Sequence, residues 1–182
     1  MKIACLVSNG FEDIEAIGTV AILRRSGIEV DYISVTNTME IMGSFHTMIK
    51  ADRLLKDCSV DDYDGVFIPG GRHSAFLRTH RETLDFVEAC YQNDKWMLAI
   101  CAGPSVLGVL GILDGMKFTS YPSTEEFMPK GILIKEKSVV DGKIITAAGA
   151  GAVYEFAFNI IEAILGEDQR KMIEKRIQYV IN

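Results

Sequence analysis

The sequence predicts an α/β fold, a mostly parallel sheet with helices on both faces. Short apolar runs alternate with longer amphipathic stretches along nearly the whole chain, the pattern of strand–helix–strand units. Runs such as IACLV (3–7) are apolar without interruption, as in strands covered on both sides. The spacers have helical length, which suits crossovers between parallel strands. One interval departs from this. Asp141-Gly142 lies between two apolar runs, a two-residue turn signal that adds a small β-hairpin.

Each element follows from local chemistry. Residues 3–7 form the first strand. Ile14, Ile17, Val20, Ala21 and Leu23 then recur at helical spacing, and Gly27 supplies a C-terminal cap. Arg24 and Arg25 end that helix, where cations suit its dipole. Residues 28–35 are the second strand and 66–68 the third, stopped by Pro69-Gly70-Gly71. Leu84, Val87, Cys90 and Tyr91 mark a helix; residues 96–100 are the next strand and 104–113 the next helix. Strands follow at 132–134, 139–140 and 143–147. Val153, Phe156, Ala157, Ile160, Ile161 and Ile164 form a stripe ended by Gly166, and Met172, Ile173, Ile177 and Val180 form a last amphipathic stretch.

The 182 residues suit one domain over 1–182, and 48% hydrophobic content can build a core. A net charge of −6 argues against nucleic acid or an anionic membrane as partner. Only five apolar residues follow Met1-Lys2 before Ser8. That is short for a signal-peptide core, and no later run approaches a membrane span, so a cytoplasmic protein is expected. Cys5, Cys58, Cys90 and Cys101 make no Cys-x-x-Cys pair, and three histidines give no usual zinc spacing. Neither a disulfide scaffold, a metal nor a cofactor is expected.

Glu15, Gly70-Gly71, Cys101 and 149–151 all fall just past strand ends, where parallel sheets build their sites. Cys101 stands where the run WMLAI meets Ala102-Gly103-Pro104. A strand that turns straight into a helix leaves its corner residue above the sheet, as in a nucleophile elbow. Pro104 suits a first helical turn, and unpaired N–H groups there lower a thiol pKa. Pattern alone leaves two readings open, a reactive thiol or one more core cysteine. Cys5 and Cys90 read as core, Cys58 as a rim thiol.

GFEDIEA (10–16), IPGG (68–71), AICAGPS (99–105) and AAGAG (147–151) together resemble the ThiJ/PfpI superfamily, closest to its DJ-one branch. The resemblance implies a flavodoxin-like three-layer sandwich and a homodimer. It implies Cys101 as nucleophile, Glu15 as the acid bonded to its sulfur, and the N–H groups of Gly71 and Ala102 as an anion pocket, with Gly70 accessory. An ionised carboxylate would repel a thiolate, so Glu15 is expected to carry a proton. Two converging amides can hold an oxyanion.

The chain also departs from that pattern. Tyr121 stands where many relatives place a histidine, and a phenol with a pKa of about 10 is a poor base at pH 7. Ala102 stands where the protease-like branch has a histidine, and no late His-x-Glu pair of the glutamine amidotransferase kind occurs. A peptidase reading is therefore rejected. The arginine that close relatives aim at the pocket falls near Phe45, beside His46. His73 would be a substitute base if its loop folds over the cysteine, and His80 reads as a surface residue. The 149–152 segment lacks the third glycine of a dinucleotide fingerprint and reads as a tight turn.

Two functions are then open. In one, Cys101 attacks a small reactive carbonyl, the glyoxalase or deglycase chemistry claimed for similar proteins. In the other, Cys101 is oxidised to a sulfinic acid in an oxidative-stress sensor or chaperone-like protein without turnover. The thiamine-biosynthesis role behind the ThiJ label has no support in these residues.

Overall fold

The computed structural model describes residues 1–179. A seven-stranded sheet forms the middle layer. Its strands are β1 (Lys2–Val7), β2 (Glu29–Ser34), β5 (Arg53–Leu54), β6 (Gly65–Ile68), β7 (Trp96–Ile100), β10 (Ser138–Asp141) and β11 (Ile144–Ala147). Across the sheet the order is β10-β11-β7-β6-β1-β2-β5. All neighbours are parallel except the hairpin β10–β11. Winding outward from β1 to β2 and from β6 to β7 runs in opposite directions. The switch point therefore lies between β1 and β6, the place at the carboxyl ends where parallel sheets of this kind build their sites.

Side-chain alternation along the strands feeds two cores. Ile3, Cys5 and Val7 of β1 point into one, with residues of α1 (Thr19–Ser26), α5 (Val153–Leu165) and α6 (Glu167–Arg176). Ala4 and Leu6 point into the other, with α3 (Arg81–Gln92) and α4 (Pro104–Val109). These are the three layers that the resemblance implied. No helix among the described residues is long and apolar enough to cross a membrane.

The expected elements are present with shifted edges. Ile14–Gly18 winds as a π-helix ahead of α1, which turns Ile14 outward with 58% exposure instead of onto the core stripe. Ala21, Tyr91 and Met172 also face outward. The helix at 104 stops at Val109, and Gly111 turns the chain with φ 71°. The hairpin loop is Gly142-Lys143, because Asp141 still pairs with Ile144. Val180 lies outside the described residues. The hairpin β3 (Glu40–Met42)–β4 (Met48–Lys50), the two-residue β5, α2 (His73–Leu77) and β8 (Lys117–Phe118) carry no clear apolar run and were not expected as elements, whereas β9 (Ile132–Leu133), which pairs in parallel with β8, falls on the strand expected at 132–134.

Candidate active site

Cys101 leaves β7 with φ 63°, in the left-handed region that non-glycine residues avoid. Three backbone bonds of 2.8 Å hold the corner. Cys101 N–H donates to Ala147 O, Tyr121 N–H donates to Cys101 O, and Gly103 N–H donates to Ile100 O. Tight tertiary bonding thus maintains a conformation the residue would not choose, with the thiol half-buried above the sheet. The other cysteines differ. Cys5 and Cys90 are buried in the cores. Half-buried Cys58 donates its thiol to Leu54 O at 3.3 Å.

Glu15 reaches the same point from the π-helix and is 1% exposed. Gly70 N–H donates to its Oε2 at 2.8 Å, and the Cys101 side chain and Ala150 N–H engage the same carboxyl. Burial, helped by the charge of Glu12, pushes its pKa up to about 7 despite those donors. The expected proton on Glu15 thus has a physical cause.

The thiol corrects a different expectation. A helix N-terminus by itself lowers a thiol pKa. Here burial pushes the Cys101 thiol up, the Glu15 carboxylate pushes the same way, and Ala102 N–H alone pulls it down. The two groups hold protons against each other and titrate as a pair.

Glycines let the backbone approach this pair. A Cβ on Gly70 would sit 2.5 Å from Glu15 Oε2 and 2.6 Å from Cys101 Cβ. Gly70 is therefore an anchor for Glu15, a larger part than the accessory one expected. Gly71 has φ 101°, and its N–H has no acceptor among the described residues. Ala102 N–H faces the sulfur. Gly149 floors the mouth, its Cβ direction ending 3.9 Å from Cys101 Sγ and 3.8 Å from Tyr121 Cδ2. Tyr121 itself is 54% exposed at the rim.

His73 is not a loop base over the cysteine. It is buried, with Ser8 N–H donating to Nδ1 at 3.3 Å and Nε2 bonded to Pro69 O at 3.0 Å. Burial lowers its pKa to about 4. A neutral ring with both nitrogens engaged braces the Gly70-Gly71 loop from behind. His80 is half-buried, bonding Thr83 Oγ1 at 2.9 Å and stacking on Phe76. Phe45 and His46 form the exposed β3–β4 turn.

Two residues of this region gave no functional signal in the sequence. Asp13 Oδ2 accepts Phe45 N–H at 3.0 Å and Oδ1 accepts Thr47 N–H at 3.1 Å, which pins that turn. Glu12 Oε2 accepts Glu15 N–H at 2.7 Å. The three-residue spacing of Glu12 and Glu15 resembles half a capping box and was the one available clue.

A strained corner thiol, a buried carboxyl with a raised pKa and the Gly70 and Ala102 amides lie together at the switch point of the sheet, the arrangement of a candidate cysteine site. Residues 1–163 match a model of the DJ-1/PfpI family, and the chain belongs to that family. It is 29% identical over 171 residues to protein DJ-1 homolog B of Arabidopsis thaliana, which covers 93% of this chain and 39% of that protein. The chain thus spans less than half of that relative's length. It is also 29% identical over 166 residues to the deglycase PfpI of Pyrococcus furiosus, covering 90% of this chain and 99% of that one. Among solved structures, the oxidized DJ-1 of Toxoplasma gondii is 31% identical and superposes with a TM-score of 0.93, covering 99% of both chains.

Proposed function

We propose that this protein acts on small reactive carbonyls through Cys101, with Glu15 as its proton partner and no metal or cofactor. The observation that carries the reading is the buried Glu15 carboxyl held by Gly70 N–H against the Cys101 corner. A carboxyl that titrates near 7 beside a thiol is matched to general acid–base work at neutral pH. Glu15 thereby fills the place of the histidine that Tyr121 replaces. The resemblance to the Pyrococcus furiosus deglycase supports the substrate class.

On an α-oxoaldehyde the steps balance as follows. The thiol sulfur bonds to the aldehyde carbon while its proton passes to the Glu15 carboxylate. The carbonyl electron pair moves to oxygen, held by the N–H groups of Gly71 and Ala102, and that oxygen takes the proton back. Glu15 then removes the carbon-bound hydrogen of the hemithioacetal and returns it to the neighbouring carbon, while the C1 hydroxyl proton passes to the oxygen on that neighbouring carbon. This gives a thioester, which water hydrolyses to a 2-hydroxy acid and free thiol. Proton-coupled lactate formation from methylglyoxal tests the reading. Cys101→Ser should abolish it, and unchanged turnover in that variant would overturn it.

A second reading rests on one observation, the likeness to a DJ-1 structure in oxidized form. There a Cys101 sulfinate accepts hydrogen bonds from the Glu15 carboxyl and the same amides, and the protein reports oxidative stress. Both readings place a homodimer in solution. Ile14, Phe45 and Met48 are 58%, 68% and 53% exposed around the Asp13 turn and offer an apolar face to a second copy. Light scattering that returns 20.2 kDa at micromolar concentration would remove the dimer.

A further inference from the structure

Glu12, Gly70 and Glu15 close a ring of hydrogen bonds. Glu12 N–H donates to Gly70 O at 2.8 Å. Gly70 N–H donates to Glu15 Oε2 at 2.8 Å. Glu15 N–H donates to Glu12 Oε2 at 2.7 Å. The ring ties the segment after β1 to the segment after β6 across the switch point. It fixes Glu15 at both ends, by its backbone and by its carboxyl. Glu12 is half-buried while its carboxyl holds the ring.

We propose that Glu12 is a positioning residue that fixes Glu15 through this ring and, by its charge, sets the pH at which Cys101 becomes reactive. The inference rests on the thiol–carboxyl reading of the site and extends it to a third acid. Its negative charge opposes the appearance of a second one on either Glu15 or Cys101, and it acts upward on both groups.

Other charged or titratable groups at the site are few. On the segment of Glu12, Asp13 is bonded to Phe45 and Thr47 and faces the β3–β4 turn. The Gly70-Gly71 loop contributes His73, neutral and bonded to Ser8 and Pro69, and Arg72, whose exposed side chain is in no ion pair among the described residues. The elbow contributes Cys101 itself and the 119–122 segment Tyr121, while Gly149 and Ala150 carry no charge. Glu12 is therefore the acid outside the pair whose charge acts on both Glu15 and Cys101.

The test is the rate of Cys101 alkylation by iodoacetamide against pH, followed by peptide mapping, in the intact protein. It reads thiolate formation and needs no turnover. Glu12→Gln keeps an oxygen for Glu15 N–H and removes the charge. It should move the midpoint down by about half a pH unit or more. Glu12→Asp keeps the charge and should leave the midpoint within a few tenths of a unit of wild type. A purely structural Glu12 would leave the midpoint in place for Glu12→Gln. That outcome, with a shifted midpoint in Glu15→Gln as the control, would overturn the proposal alone. An unshifted midpoint in Glu15→Gln would overturn the proposal together with the thiol–carboxyl pair. Should Glu12→Gln misfold by circular dichroism, Glu12→Asp decides alone: a midpoint that falls as though the charge were gone would refute the proposal.

Discussion

Asp13 and Glu15 stand two residues apart, both buried, and titrate in opposite directions. Burial works to raise Asp13, but the Thr47 hydroxyl and the N–H groups of Phe45 and Thr47 outweigh it and hold the carboxyl below its usual range. Burial also raises Glu15, and there it wins, helped by Glu12 and only partly opposed by Cys101, Gly70 and Ala150. Desolvation alone therefore does not decide the fate of a buried acid. The donors that converge on it, and the charges beside it, do. Asp13 becomes a permanent anion that staples the β3–β4 turn. Glu15 becomes a carboxyl raised to about 7 beside a thiol.

The contrast breaks most visibly in turnover. Glu15→Gln should lower methylglyoxal turnover by about 10²-fold or more, the usual worth of a positioned proton carrier. Asp13→Asn should leave turnover within a few-fold of wild type. Equal losses in a kinetic assay would mean that the two acids share one role. Stability should show the reverse. Asp13→Ala strands the N–H groups of Phe45 and Thr47 and should cost roughly 2–4 kcal/mol in a urea titration. A cost near zero would show that water replaces the carboxylate and that the staple is not structural.

The pH dependence of stability sharpens the same comparison. Glu15 has a folded pKa raised to about 7. Its contribution to stability is fully present below the ordinary glutamate range and is lost as pH rises through about 7. Glu15→Gln removes that titration, so at pH 8 it should be more stable than wild type by about 1–3 kcal/mol and at pH 4 nearly equal. Asp13 runs the other way. Its lowered pKa contributes stability above the ordinary aspartate value that is lost as pH falls through the folded one. Urea midpoints of both variants from pH 3 to 8 would separate the two slopes, and parallel slopes would refute the contrast.

The smallest effect concerns Tyr121. With Glu15 already titrating near neutrality, Tyr121→His should raise kcat less than about tenfold, well under the full worth of a new base. A larger rise would show that Glu15 is a poor base and that the missing histidine matters more than the buried carboxyl can repair.

Much of the architecture was legible because the burial of parallel strands writes itself into continuous apolar runs. The runs at 3–7, 66–68 and 96–100 each match a strand to within a residue or two. Edge elements were not legible. The β3–β4 hairpin is three residues a side and mostly exposed, so its stability comes from Asp13 and from Gly10 N–H on Met42 O. Ile14 misled because a π-helix shifts the side-chain phase that α-helical spacing assumes.

Residue type and position by themselves determined the strand-to-helix corner at Cys101 and the glycines beside it, whereas Glu15 next to the thiol followed only from the resemblance. The corner and its glycines depend on short stretches of chain whose geometry is local. The protonation of the pair, the occupied ring of His73 and the Glu12–Gly70–Glu15 ring were decided only by the tertiary structure. These depend on desolvation and on hydrogen bonds between segments more than fifty residues apart, and such quantities exist only once β1 and β6 lie side by side.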